Sequence, residues 1–153
     1  MRVTTYRAEL DENRHNILVR ESSRNYPGGN TKSPYAIAEM MNAMYGLNRQ
    51  AEEHIYMLAF DTKNGLLGVF ELAHGTVNSA LCHPREILIR ALLCGAANVV
   101  LVHNHPSQNV NPSKDDCAVS ERIRQAGDLV GVKLIDHIIV GDGYYSFMER
   151  KHW

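Results

Sequence analysis

Hydrophobic positions along this chain recur with two different periods, and the change between them outlines the elements. In three segments apolar residues return at helical spacing, and each segment opens with a capping residue or proline and closes at glycine. Each such segment predicts an amphipathic helix with one face in a core. The predicted helices cover residues 33–46, 83–95 and 111–131.

Strand-like segments separate these helices. The dipeptide Asn64-Gly65 lies between two apolar runs, which is the strongest short signal of a β-hairpin. Residues 98–102 form a short apolar run that is typical of a central strand covered on both faces. The pattern predicts a layered α/β (α+β) domain in which helices flank a sheet. The predicted strands are 54–60, 66–73, 98–102, 132–135, 137–140 and 144–147, with a loop at 75–81 and a hairpin turn at 141–143.

The first 32 residues follow neither period clearly. They are polar and mixed in charge, with short β-leaning pieces at 3–6 and 17–19 and a turn at Pro27-Gly28-Gly29-Asn30. We expect residues 1–32 to be an N-terminal arm that packs on the domain of residues 33–153 or on a partner, with exchange between subunits of a homo-oligomer as one outcome.

Composition adds little to the predicted fold but argues against some classes of protein. The chain has 153 residues, 44% of them hydrophobic, and a formal net charge of -1, which predicts one soluble domain without a broad nucleic-acid footprint. No apolar run reaches the roughly 18 residues of a membrane span, and the start lacks a signal-peptide core. The three cysteines include no CxxC pair, so we expect reduced thiols, no membrane association and a cytoplasmic location.

Candidate chemistry is concentrated where the apolar run 98–102 ends. His103 and His105 are two positions apart, so in an extended chain they point to the same side, roughly 6–7 Å apart. Asp116 follows after a loop and could add an oxygen ligand. Two histidines and one carboxylate leave a fourth tetrahedral position for water, which is the arrangement of a catalytic zinc site. No GxSxG, HExxH, Walker or GxGxxG motif supports another chemistry.

The spacing of these residues resembles the JAMM (MPN-plus) metalloprotease motif, in which His-x-His is followed by seven residues, Ser, two residues and Asp. More closely, the chain resembles the RadC family, over residues 33–149, in its short form without a helix-hairpin-helix region. The motifs that carry the resemblance are Asp61-Thr62-Lys63-Asn64, Gly75-Thr76-Val77-Asn78-Ser79-Ala80, His83-Pro84-Arg85-Glu86, His103-Asn104-His105-Pro106-Ser107 and Asp136-His137-Ile138-Ile139-Val140-Gly141-Asp142-Gly143.

The resemblance implies a fold and a role for each matching residue. It implies a JAMM or cytidine-deaminase-like mixed sheet flanked by helices, with zinc at one sheet edge held by His103, His105 and Asp116. It also implies that Glu53 is the general acid and base and that Ser113 steadies the oxyanion or the water.

Two of these roles have alternatives in the sequence itself. Glu52 precedes Glu53, and because strand side chains alternate, only one of the two carboxylates can face the site. Ser113 and Asp116 have the spacing of a helix capping box, a role that can coexist with catalysis. For His74, His83 and His137 we expect structural roles before any contact with the metal site.

The implied function is a zinc-dependent hydrolase of JAMM type, a metallopeptidase or isopeptidase that acts on a peptide or protein substrate. The alternative is a metal-dependent nuclease or phosphodiesterase, which the family's association with DNA repair keeps open although the net charge gives no support for nucleic-acid binding. A third reading is an interaction module with a purely structural zinc ion.

Overall fold

The structure is a computed structural model that describes residues 1–75 and 82–152. Its described part contains three α-helices and seven strands. In chain order they are β1 (Arg2–Leu10), β2 (Asn16–Asn25), α1 (Pro34–Tyr45), a 3-10 turn (Leu47–Arg49), β3 (Glu53–Phe60), β4 (Leu66–Gly75), α2 (Pro84–Leu93), β5 (Asn98–Asn104), α3 (Lys114–Val130), β6 (Lys133–Gly141) and β7 (Gly143–Ser146). The predicted helices are confirmed. The predicted loop at 75–81 lies, except for Gly75, outside the described residues.

All seven strands form one mixed sheet in the order β2-β1-β4-β3-β5-β6-β7. β1 and β4 pair in parallel, as do β5 and β6, and the other neighbours are antiparallel. The predicted α+β class with a mixed sheet is therefore confirmed. No described helix is both long enough and apolar enough to cross a bilayer.

Each face of the sheet is covered by helices, which gives two separate cores. Helix α1 buries Ile37, Met40 and Met41 against one face, as its apolar spacing predicted. Helices α2 and α3 cover the opposite face, where Ile87 and Ile123 are buried. β3 and β5 lie between both layers, which explains why β5 is apolar on both sides.

The N-terminal residues form longer strands than the two short pieces that the sequence indicated. β1 and β2 are a hairpin of nine- and ten-residue strands, and β1 extends the main sheet by pairing with β4. Its cross-strand pairs are largely polar, such as the 3.0 Å hydrogen bond between the Thr4 and Ser23 hydroxyls. A polar ladder has no apolar alternation, so the hydrophobic pattern missed most of this hairpin.

β6 is one strand where the sequence predicted two, at 132–135 and 137–140. The separating residue, Asp136, is buried inside the strand, and its carboxylate accepts hydrogen bonds from the Ser146 hydroxyl at 2.6 Å and from the Met148 amide at 3.0 Å. These hydrogen bonds stabilise the buried carboxylate. The sequence pattern had instead predicted a break between two strands at this polar residue. The pairing with β5 shifts by one residue at this point.

Candidate metal centre

The histidine motif lies at the end of β5, as its place after an apolar run predicted. His103 pairs with Ile55 of β3 on one side and with Ile139 of β6 on the other, and only 2% of its surface is exposed. His105 lies just past the strand end, where its backbone amide donates to the carbonyl of Val140 at 3.0 Å. Both neighbouring strands therefore hold this segment in place.

Asp116 comes to the same point from the first turn of α3. The Nε2 atoms of His103 and His105 are 3.0 Å apart. Oδ1 of Asp116 lies 3.2 Å from Nε2 of His103, and its Oδ2 lies 3.4 Å from Nε2 of His105. A tetrahedral zinc ion with bonds of about 2.0–2.2 Å needs ligand atoms about 3.3 Å apart. The spacing of these three side chains fits such an ion.

Asp116 is also part of the helix cap, and its two oxygens have different partners. Oδ2 accepts from the backbone amide and from the hydroxyl of Ser113, both at 2.7 Å, while the Ser113 hydroxyl accepts from the Asp116 amide at 3.0 Å. These bonds complete the capping box that the sequence indicated. Oδ1 faces His103, so the cap orients the carboxylate without occupying that oxygen.

The hydrogen bonds behind the two histidines determine which ring nitrogen can bind a cation. Nδ1 of His105 is 2.6 Å from the Asn109 carbonyl oxygen, which can only accept, so the proton is on Nδ1. In neutral His105 the lone pair is then on Nε2, facing His103 and Asp116. Two imidazole nitrogens and a carboxylate oxygen that face one another require a cation between them, either a proton or a metal ion.

His137 contacts the motif directly, which the sequence did not lead us to expect. Its Nε2 is 2.7 Å from Nδ1 of His103, and its Nδ1 is hydrogen-bonded to the hydroxyl of Ser120. The Ser120 hydroxyl also contacts the backbone carbonyl of Asp116, to which it donates at 2.7 Å. A buried Asp-His pair inside an apolar strand was the available signal, but the sequence does not show which residue that histidine meets.

The pKa values of Asp116, His105 and His137 are shifted in directions that favour a cation between the candidate ligands. Burial opposes ionisation of Asp116, but hydrogen bonds from His103 and His105 outweigh it and hold the pKa of this carboxyl far below its usual range. The hydrogen bond to Asp116 raises the pKa of His105, against desolvation and with help from the Asn109 carbonyl and the charge of Glu53. Burial, reinforced by the charge of His103, lowers the pKa of His137 well below its ordinary value.

Glu53 is the first residue of β3 and is half-buried. It shares a strand face with Ile55, the partner of His103, and continuing this antiparallel register by two residues would set it opposite His105. Its charge acts on His105, as noted above. Glu52 is exposed and precedes the strand. Of the two carboxylates, that of Glu53 is the one whose charge acts on His105.

Asn104 holds the backbone on both sides of Glu53. Its side-chain oxygen accepts from the amide of His54 at 2.7 Å, and its side-chain nitrogen donates to the carbonyl of Glu52 at 3.0 Å. The residue between the two histidines thus connects the end of β5 to the start of β3. This buried amide fixes the acidic residue relative to the motif, a role that the sequence analysis did not assign.

A cavity and a buried thiol are further places to look for chemistry. A cavity of about 320 Å³, lined in part by Phe60, Lys63 and Val100, includes none of the three candidate ligands. Desolvation raises the pKa of the buried Cys82 thiol to about 12, although Arg122 acts in the opposite direction. A thiol with that pKa is not a nucleophile near neutral pH.

The raised pKa of His105 predicts that metal binding releases protons. A histidine whose folded pKa exceeds the ordinary value of about 6.5 stabilises the metal-free protein below that pH and loses this contribution as the pH rises through the folded pKa. Zinc titrations at pH 6.5 in buffers of different ionisation enthalpy should show a proton release that is smaller in His105→Ala. Identical heats in every buffer at pH 6.5 would contradict the assignment.

Comparison with known proteins identifies the family of this chain. The family described as "RadC-like JAB domain" matches residues 31–152. The chain is 40% identical over 107 residues to a UPF0758 protein of Pelobacter propionicus, covering 69% of this chain and 47% of that protein. It is 32% identical over 139 residues to a UPF0758 protein of Clostridium kluyveri, covering 88% of this chain and 61% of that protein.

Each match covers a larger share of this chain than of the relative. A third relative, a UPF0758 protein of Rubrobacter xylanophilus, is 43% identical over 98 residues, which are 64% of this chain and 43% of that protein. The chain thus spans about half the length of the curated relatives it matches. The match nonetheless includes His103, His105, Asp116 and Glu53 within its bounds. The chain belongs to the RadC-like JAB domain family.

Proposed function

We propose that this protein is a zinc-dependent hydrolase that cleaves a peptide or isopeptide bond. The observation that carries the proposal is the convergence of two Nε2 atoms and the Oδ1 atom of Asp116 at the end of β5, with Glu53 close enough for its charge to act on His105. Three protein ligands leave a coordination position open, whereas structural zinc sites have four. A nearby carboxylate that can accept a proton, the role proposed for Glu53, is a group that a hydrolase needs and a structural site does not.

Zinc in this position would supply a bound water molecule with a pKa of about 7 and an electrophile for the substrate carbonyl. His103, His105 and Asp116 would hold the ion, and the Ser113 cap would keep Oδ1 of Asp116 turned toward it. Glu53 would accept a proton at its carboxylate as the nucleophile attacks and return it to the leaving nitrogen. To donate toward the charge that develops on the substrate oxygen, the Ser113 hydroxyl would turn away from Oδ2 of Asp116, which the Ser113 backbone amide would still hold.

The contacts of His137 give it a positioning role in this proposal. The single proton of the Ser120 hydroxyl goes to the Asp116 carbonyl, so the hydroxyl accepts from Nδ1 of His137. Nε2 of His137 then accepts from Nδ1 of His103, and the lone pair of His103 is on Nε2, toward the metal position. Outer hydrogen bonds of this kind select the tautomer of a ligand histidine.

Removing the Ser120 hydroxyl should therefore weaken metal binding without removing a ligand. We expect Ser120→Ala to bind zinc about 10–100-fold more weakly, the usual cost of losing an outer partner. A competition titration with a chelating dye measures this change, and imidazole nitrogen chemical shifts should show a mixed tautomer for His103. Ser22→Ala, in β2, is the control. Unchanged affinity together with a single His103 tautomer would exclude the positioning role.

The proposed activity is tested with a panel of substrates. Zinc-loaded protein should cleave peptides or isopeptide-linked conjugates, stop when a chelator is added, and recover when zinc is restored. Single-stranded and duplex DNA form the second arm of the panel. Chelator-sensitive DNA cleavage without peptide cleavage would replace the proposal with the nuclease alternative, and tight zinc binding without any turnover would leave only the structural reading.

A further inference from the structure

A second group of metal-binding side chains lies on the opposite face of the sheet from the first. His54 and His74 are directly paired across β3 and β4. The register of this pair shifts between Ile55 and Tyr56, so Leu72 has no direct partner and Glu71 lies opposite Tyr56. Such a bulge changes the direction in which nearby side chains point. Here it places Glu71 and His74, three residues apart, on the same face as His54.

The three side chains already contact one another. Oε1 of Glu71 is 2.8 Å from Nδ1 of His54 and 3.4 Å from Nδ1 of His74, and the two imidazole rings stack with centroids 5.4 Å apart. One potential ligand atom from each residue lies within 4.8 Å of the others. The side chain of His54 is 17% exposed and that of His74 is 65% exposed, so one ligand is fixed by packing and another is free to adjust.

We propose that His54, Glu71 and His74 bind a second divalent transition-metal ion, with solvent completing its coordination. Imidazole nitrogens favour zinc, copper and nickel over magnesium or calcium, and a single carboxylate reduces the charge of the ion. The two carboxylate–imidazole distances of 2.8 and 3.4 Å are near the spacing of about 3.3 Å that tetrahedral zinc requires, and the exposed side chain of His74 is free to adjust.

The second site lies where a bound ion would act on the strand that carries Glu53. It joins β3 to β4 at the residue that follows Glu53, and the backbone amide of His54 is the one held by Asn104. A bound ion would therefore fix the β3–β4 register where the acidic residue begins its strand. Binding that favours only the folded state raises stability with metal concentration. The second site would thus stabilise the end of β3 at which Glu53 lies.

The test is the zinc stoichiometry of the full chain after metal removal. We expect two equivalents for the parent protein, one for His74→Ala, one for His105→Ala and none for the double variant. His15→Ala is the matched control, since His15 is also an exposed histidine next to a carboxylate, and it should retain two equivalents. Zinc should raise the thermal midpoint of His105→Ala but not that of the double variant.

His74 is mostly exposed, so its replacement should leave the fold intact, and Glu71→Gln provides a second variant that removes a different ligand. Either change should lower the affinity of the second site by at least about 100-fold, more than the loss of an outer partner costs. Equal zinc binding by His105→Ala and the double variant would overturn the proposal. If instead His74→Ala loses one equivalent and His105→Ala loses none, the second site stands while the proposed function fails.

Discussion

Replacing Glu53 by glutamine should abolish turnover while leaving the metal content unchanged. Glutamine preserves the size of the side chain beside His105 but cannot accept and return a proton, and general acid-base catalysis typically contributes about 10²–10⁴-fold to a rate. Among the described residues, no hydrogen bond connects Glu53 to the three ligands, so their geometry should persist. Turnover of the best peptide or isopeptide substrate and zinc content per chain, measured on one preparation, check the prediction.

Glu52→Gln is the matched control for this experiment. Glu52 is adjacent in sequence and carries the same charge, but it is exposed and precedes β3. Its replacement should leave both turnover and zinc content near the parent values. A Glu53→Gln variant with normal turnover would refute the general-base assignment, and a Glu52→Gln variant with the larger loss would transfer the role to its neighbour.

Replacing Asp116 by asparagine should remove the metal from the site at the end of β5 and abolish the activity with it. The substitution eliminates the negative charge but keeps a side-chain oxygen that can accept from the Ser113 amide, so the start of α3 should persist. Zinc affinity should fall by at least about 100-fold, because a ligand is lost rather than an outer partner. Dye competition measures the affinity, and far-ultraviolet circular dichroism confirms that the helices remain.

The neighbouring residue again offers a control. Asp115 has the same charge in the same helical turn but is exposed, and no metal-binding group includes it among the described residues. Asp115→Asn should keep zinc affinity and turnover. Should Asp116→Asn still bind zinc as tightly as the parent, Asp116 would be a helix cap alone, and the hydrolase proposal would lose one of its three ligands.

The convergence of His103, His105 and Asp116 was the part of this protein most readily predicted from its sequence. Two histidines at i and i+2 after an apolar run must share a side of the chain, and this local constraint survives folding. The pairing of Ser113 with Asp116 is also local, since both residues belong to one helical turn. In these cases the contact follows from sequence separation, so neither the sheet order nor the packing is needed to foresee it.

Other features depend on the order of the strands and were not predictable in the same way. The contact of His103 with His137 exists because β5 and β6 are parallel neighbours, and Asn104 reaches the start of β3 because β3 pairs with β5. The group of His54, Glu71 and His74 depends on a shift in the β3–β4 register that no sequence pattern indicated. The polar β1–β2 hairpin shows the same limit, because backbone pairing rather than apolar alternation holds it together.

The central claim is that His103, His105 and Asp116 hold one metal ion and leave a position for solvent. A crystal structure of the zinc-loaded protein, with anomalous data at the zinc edge, tests it most directly. The account predicts zinc bonded to Nε2 of both histidines and to Oδ1 of Asp116 at about 2.0–2.2 Å, with a solvent oxygen as the fourth ligand. Absence of zinc at these atoms, or a fourth protein ligand in place of solvent, would contradict it.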